Sequence, residues 1–81
     1  MLLRKWNYET HKYEEYKTPI EWDCRTYCED MSEIINCCQC GKKIAFGETY
    51  SSQEVHNFIG LGYSVCENCH DVEIEIRFKN N

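Results

Sequence analysis

The chain has 81 residues, a length that fits one small domain whose core needs support from a metal, disulfides or a partner. Nine basic and 14 acidic residues give a formal net charge of −5, which argues against binding to nucleic-acid phosphates. No apolar run approaches the roughly 20 residues that a membrane span needs, and the charged, aromatic N-terminus lacks the pattern of a signal peptide. We therefore expect a cytoplasmic protein, in which cysteines at such spacings bind metal more often than they form disulfides.

The first predicted element is a β-hairpin over residues 1–18. Side chains at residues 2–8 alternate between two faces, "ETHK" has the composition of a polar turn, and "YEEYKT" returns. Tyrosine and tryptophan often anchor protein interfaces. The hairpin therefore supplies four candidate partner-binding residues, namely Trp6, Tyr8, Tyr13 and Tyr16. The alternative is that these aromatic residues build the core of a domain with few aliphatic side chains.

Residues 18–31 are predicted to contain one short helix. Thr18 can cap it, Pro19 suits its first position, and Glu21 can reach back to the cap. Apolar side chains would then share one helical stripe: Ile20, Cys24, Tyr27, Cys28 and Met31. The stretch "WDCRTY" also fits a short extended segment.

Two CxxC pairs dominate residues 33–79. A two-residue gap lets both sulfurs of a pair face one ion, and two such turns supply the tetrahedral four-sulfur shell that Zn²⁺ prefers. Gly41 follows the first pair and can adopt the positive φ that such a turn often needs. We predict one structural Zn²⁺, because four thiolates leave no open position for a catalytic water. Its ligands would be Cys37, Cys40, Cys66 and Cys69; the alternative is four free core thiols.

The other cysteines leave alternatives open. Cys38 lies inside the first turn and is interpreted as a buried bystander. Cys24 and Cys28 can pack as semi-buried thiols, or can join Cys38 or a histidine at a second metal site. His70 directly follows the second pair and could replace a neighbouring ligand.

Three elements are predicted around the CxxC pairs. "EIINC" and "KKIAF" can pair as strands across the first turn, and "GETYSSQEVH" and "FIGLGYSVC" form a second hairpin. Gly60 and Gly62 would mark bends or bulges in it. The tail "DVEIEIRF" alternates strictly, which predicts a strand over residues 72–78. Such a strand would form a sheet edge at which two copies can pair as a homodimer.

The pattern "CxxCGKKIxxGExY" followed by "GYxVCxxCH" resembles the zinc-ribbon and treble-clef families of zinc fingers over residues 37–71. This resemblance implies the same four zinc ligands. A treble clef would place the second pair at the start of a helix and a ribbon would place it on a hairpin, so the alternating tail favours the ribbon. We expect a single domain over residues 1–81, small, β-rich (α+β) and metal-stabilised: a zinc-ribbon-like or treble-clef zinc finger with an N-terminal β-hairpin.

The whole chain is also similar, more loosely, to small zinc-binding proteins of phages of Gram-positive bacteria. The similar features are "KWNYETHKYEEY" and the glycine–tyrosine before the second pair. This resemblance implies a viral origin and a location in the host cytoplasm.

The function that the sequence favours is a protein-binding module, and one form of it is a phage factor that docks on or inhibits host machinery. An acidic protein meets basic surfaces faster, and the nucleic-acid channel of a host enzyme is such a surface. The alternative is a transcription-related zinc-ribbon protein that binds nucleic acid. It would need a basic face, and the lysines and arginines are scattered among glutamates. We expect no enzyme, because the sequence has no Ser–His–Asp set, phosphate-binding loop or open metal site.

Overall fold

The computed structural model describes residues 2–79. In this part, two antiparallel sheets are followed by one α-helix. The strands are β1 (Leu2–Asn7), β2 (Lys12–Lys17), β3 (Ile34–Asn36), β4 (Lys43–Ala45), β5 (Tyr50–His56) and β6 (Gly62–Val65), and the helix is α1 (Glu67–Lys79). A 3₁₀ turn at Phe46–Glu48 links β4 to β5. The ends of the predicted domain, residue 1 and residues 80–81, lie outside the described residues. Within residues 2–79, no helix is long and apolar enough to cross a membrane.

The predicted N-terminal hairpin is confirmed. Strands β1 and β2 pair along their whole length, from Leu2 opposite Lys17 to Asn7 opposite Lys12. The turn closes through a hydrogen bond from the His11 N–H to the Asn7 carbonyl (2.8 Å), and His11 has a φ of 55°. Strand β1 also pairs with β5, so the hairpin belongs to a four-stranded sheet in the order β2-β1-β5-β6.

The two predicted hairpins of the cysteine-containing part are confirmed as well. Strands β3 and β4 pair across the first CxxC turn. Strands β5 and β6 pair with a register shift between Ser51 and His56, which is the irregularity that the glycines predict. At Gly62 an added Cβ would lie 2.5 Å from the Ser52 carbonyl oxygen, so the two strands approach too closely there for any side chain.

The predicted short helix over residues 18–31 is wrong, because this segment forms only turns and bends. Besides one local turn, in which the Trp22 N–H donates to the Pro19 carbonyl (3.1 Å), its backbone groups bind other elements. The Asp23 carbonyl accepts from the Asn36 N–H (3.0 Å), the Asp23 N–H donates to the Asn36 Oδ1 (2.8 Å), and the Arg25 carbonyl accepts from the Ser64 N–H (2.8 Å). The residues of the proposed apolar stripe also do not share one face, since Ile20 is 92% exposed whereas Cys24 and Cys28 are buried. Tertiary hydrogen bonds therefore outweigh a weak local helix preference.

The predicted strand over residues 72–78 is also wrong, because this tail lies within α1. Wound as a helix, the alternating apolar residues scatter, and the buried position is Glu73 at 1% exposure. The ends of the helix suit its dipole, with Glu67 in the first turn and Arg77 and Lys79 in the last. Glutamate also favours helices over strands. A helical tail offers no sheet edge, so the predicted route to a homodimer is lost.

The core is small and rich in sulfur. The fully buried aliphatic side chains in residues 2–79 are Leu3, Ile35, Val55 and Val65, and Cys37 and Cys38 are buried equally deeply. A core with so few aliphatic side chains gains little from hydrophobic burial. A domain with such a core needs further support, which a bound metal can give.

Candidate metal centre

Four cysteines converge where the β3–β4 turn meets the start of α1. The Sγ atoms of Cys37, Cys40, Cys66 and Cys69 all lie within 4.8 Å of one another. A tetrahedral zinc–thiolate site has sulfurs roughly 3.8 Å apart, given Zn–S bonds of about 2.3 Å. The Sγ atoms of Cys40 and Cys66 are 3.9 Å apart, which fits that spacing across the two pairs. The four residues can therefore hold one metal ion.

The first pair lies in a tight turn that its own backbone closes. The Cys37 N–H donates to the Lys42 carbonyl (2.8 Å), and the Gly41 N–H donates to the Cys37 carbonyl (2.9 Å). The Cys37 Sγ accepts the N–H groups of Gln39 (3.4 Å) and Cys40 (3.5 Å). Such N–H···S contacts stabilise a thiolate before any ion binds.

The second pair stands at the N-terminus of α1. Cys66 directly precedes the helix, Cys69 is in its first turn, and the Cys66 carbonyl accepts from the His70 N–H (3.0 Å). The positive end of a helix dipole favours thiolates. Cys37 and Cys66 are buried whereas Cys40 is exposed, so an ion can enter from the Cys40 side.

The thiol pKa values show how the metal-free cluster shares its charge. Burial opposes ionisation of Cys37, but the backbone N–H groups around it outweigh burial and lower its pKa to about 7. Burial raises the pKa of Cys69, and the neighbouring thiols raise it further. Burial likewise raises the pKa of Cys40. Ionisation of Cys37 is thus favoured, whereas the raised pKa values of Cys40 and Cys69 keep those two thiols protonated, so a bound cation must displace protons.

Gly41 and Trp22 fit together against the first turn. Gly41 has a φ of +80°, and an added Cβ would lie 2.4 Å from Cζ2 of the Trp22 indole. Asn36 ties the same two segments, since its Nδ2 donates to the Gly41 carbonyl (2.8 Å) while its Oδ1 accepts from Asp23. The cysteine spacing predicts the glycine, whereas Trp22 and Asn36 carry no metal-binding signal in the sequence.

Gln39, between the cysteines of the first pair, joins the turn to the helix. Its Nε2 donates to Glu73 Oε2 (3.0 Å) and to Glu54 Oε1 (3.2 Å), and its Oε1 accepts from Lys5 Nζ (3.1 Å). Glu73 also accepts from the Ser52 hydroxyl and from the Gln53 N–H. This buried network holds α1 against β5 and the first turn, and thereby holds the two halves of the cluster together. No sequence pattern indicated it.

The other three cysteines and His70 lie outside the four-cysteine cluster. Within residues 2–79, the four-cysteine cluster is the only group of three or more potential ligands close enough to share an ion. Cys38 is fully buried in the core, and its thiol hydrogen-bonds to Cys24, which lowers the pKa of Cys24. Cys28 accepts from the Arg25 guanidinium at 3.3 Å. The His70 ring stacks on Tyr50, with the ring centroids 4.8 Å apart.

The four aromatic candidates for partner binding do not form one surface. Tyr16 faces the core, where its hydroxyl donates to the Cys38 carbonyl (3.1 Å). Tyr8 lies near Glu54 and Glu73; burial and these two carboxylates raise its pKa. Trp6 and Tyr13 lie together, with ring centroids 5.1 Å apart.

Trp6 and Tyr13 lie on the sheet face opposite the core, because side chains alternate along a strand and Leu3 of β1 points into the core. The Tyr13 ring also packs on His56 (5.3 Å between centroids) and lies below the Arg4 guanidinium (5.0 Å). We call these four residues, Arg4, Trp6, Tyr13 and His56, the outer aromatic surface.

Together these features define a small β-rich α+β protein with an N-terminal hairpin and a four-cysteine cluster able to bind a metal. Comparison with protein-family models, with curated proteins and with solved structures finds no match to this chain.

Proposed function

We propose that the chain is a treble-clef-type zinc module whose ion is structural and which acts by binding another protein. The observation that supports it most directly is the closed set of four cysteine sulfurs within 4.8 Å of one another. The elements also follow one another as the treble-clef expectation requires: a CxxC turn between β3 and β4, the β5–β6 hairpin, and a helix that begins at the second CxxC pair.

Zinc is the metal that the donor set favours. Four thiolates are soft ligands in a tetrahedral arrangement, which selects Zn²⁺ over the hard cations that prefer oxygen. All four positions of such a shell would be filled by protein, so the ion would stabilise the fold and leave no site for a substrate. A non-catalytic role is therefore part of the proposal.

The protein-binding role is supported by charge and by the outer aromatic surface. Four thiolates and one Zn²⁺ add −2, which takes the formal net charge from −5 to about −7. That field repels phosphate and speeds encounter with a basic protein surface. Trp6 and Tyr13 lie on the open face of the sheet, where a rigid pair of rings can serve as an anchor. A phage origin and action on host machinery in the host cytoplasm belong to the proposal and rest on the sequence resemblance alone.

Metal analysis and affinity capture test the proposal. We expect one zinc per chain, loss of the near-UV circular dichroism signal on strong chelation, and its return with zinc. In affinity capture from a bacterial lysate, the double variant with Trp6→Ala and Tyr13→Ala should remain folded but should no longer capture the specific protein that the natural chain captures. Tyr27→Ala, which removes an exposed ring elsewhere (67% exposed), should retain it. A folded zinc-free protein would contradict the metal assignment. Salt-sensitive binding to DNA or RNA in a gel shift, without protein capture, would favour the nucleic-acid alternative.

A further inference from the structure

Strand β2 is an open edge of the four-stranded sheet. It lies last in the order β2-β1-β5-β6 and pairs with β1 alone among the described elements. Every residue of β2 except Tyr16 is exposed. One side of its backbone therefore presents unpaired N–H and C=O groups, which can pair with a further strand.

The charges of β2 are available for such pairing. The strand reads Lys-Tyr-Glu-Glu-Tyr-Lys from Lys12 to Lys17, and it is the same in both directions. Its four charged side chains make no ion pair with other residues in the range 2–79. Glu14 accepts one hydrogen bond, from the Asn7 side-chain amide (2.8 Å).

The same charges disfavour a second copy of the chain as the occupant. When a two-fold axis relates two identical antiparallel strands, one residue of the first strand lies opposite the same residue of the second. Corresponding side chains of the two copies then lie on the same face of the sheet. The registers that use nearly all of β2 would centre on Glu14 or Glu15 and would set two carboxylates against each other. Like charges placed directly opposite are destabilising. Registers that avoid this contact use only half of the strand.

A different strand can match β2 along its whole length. Residues opposite each other share a sheet face, so each charge of β2 calls for an opposite charge on the partner. Tyr13 lies on the outer aromatic surface, and Tyr16 lies beside a groove of about 430 Å³ that Ile76 of α1 also lines. Apolar partner residues suit both tyrosines. The complementary strand thus reads acidic–apolar–basic–basic–apolar–acidic, in either direction.

From this edge we infer that β2 is the docking site for an extended segment of a partner protein with that charge pattern, added to the sheet as an antiparallel strand. The inference deepens the proposed protein-binding function and rests on it. Trp6 and Tyr13 would anchor the partner on the open sheet face, and the paired backbone with its charges would select the segment.

The test is an NMR titration of the ¹⁵N-labelled, zinc-bound protein with two blocked peptides of identical composition and charge. The matched peptide is Glu-Val-Lys-Lys-Val-Glu and the swapped peptide is Lys-Val-Glu-Glu-Val-Lys. We expect the matched peptide to perturb and protect the amides of residues 12–17 and to bind roughly tenfold more tightly, because four cross-strand charge pairs change sign between the peptides. The matched peptide with every amide N-methylated keeps its charge but loses its donors, and it should not bind.

A charge-swapped protein provides the matched control. The four substitutions Lys12→Glu, Glu14→Lys, Glu15→Lys and Lys17→Glu leave the net charge unchanged and should reverse the peptide preference. If that variant does not fold, the comparison of the two peptides on the natural chain still decides.

Equal binding of the two peptides, equal binding of the N-methylated form, or shifts centred outside residues 12–17 would each overturn the inference. A dimer in sedimentation with protected β2 amides would overturn it as well. These results are independent of the lysate test: capture that needs Trp6 and Tyr13 without peptide discrimination refutes only the β2 assignment, whereas absence of specific capture refutes the proposed function.

Discussion

Replacement of Gly41 by alanine should destabilise the protein far more than the same change at Gly60. Both glycines have a positive φ, +80° at Gly41 and +92° at Gly60, so both substitutions carry the left-handed backbone penalty of roughly 1–2 kcal/mol. At Gly60 the new Cβ meets no heavy atom within 4 Å. At Gly41 it would lie 2.4 Å from Cζ2 and 2.6 Å from Cε2 of Trp22, so the indole must move.

The steric contribution at Gly41 can be estimated from core overpacking, which typically costs 1–3 kcal/mol. Gly41→Ala should therefore lose about 2–5 kcal/mol in total, which rivals the whole stability of a domain this small. Since Gly41 lies in the turn that carries Cys37 and Cys40, the same change should speed zinc release.

Urea unfolding of the zinc-bound proteins at a fixed zinc concentration measures the loss, and transfer of zinc to a chromophoric chelator measures release. Trp22→Ala removes the ring, so Gly41→Ala should cost only the backbone penalty when made in that background, and a double-mutant cycle isolates the contact. Equal losses for Gly41→Ala and Gly60→Ala, or a cycle with no coupling, would refute the reasoning.

Three further predictions concern the metal and the network behind it. Cys66→Ser should abolish stoichiometric zinc binding and unfold the chain, whereas Cys38→Ala should keep one zinc per chain by metal analysis; equal zinc loss would mean that the ligand set is misassigned. Zinc affinity should fall as the pH is lowered from about 8 to about 6, because protons compete with zinc for the thiolates. In the metal-free protein the pKa of the Cys37 thiol is lowered from 9.0 to about 7, so Cys37 is mostly ionised above pH 7 and mostly protonated below it. A chelator competition that shows pH-independent affinity would contradict thiolate ligation. Glu73→Gln should lower the free energy of unfolding in urea by about 1–3 kcal/mol, because an amide NH₂ would face the donors from which Glu73 now accepts hydrogen bonds. The same change at the exposed Glu75 should lower it by less than about 1 kcal/mol. Similar losses for the two variants would show that the buried network does not stabilise the fold.

The sequence alone was sufficient for the features that depend on short-range spacing. Two residues between cysteines bring two sulfurs to one side of a turn, whatever the rest of the chain does, so the four members of the cluster could be named from their spacing. The N-terminal hairpin and the two later hairpins follow from alternation and turn composition, which are also local properties. The metal itself and the partner remain predictions.

Other features depended on distant partners and were decided only by the tertiary structure. The tail alternates as a strand would, yet it is a helix because its N-terminus completes the cysteine cluster and Glu73 finds its hydrogen-bond donors on β5. Residues 18–31 carry a cap and a stripe, yet they stay irregular because Asp23 and Arg25 pair with β3 and β6. In each case contacts between residues far apart in sequence stabilise the observed structure more than the local pattern stabilises the predicted one. Such contacts cannot be predicted from neighbouring residues alone.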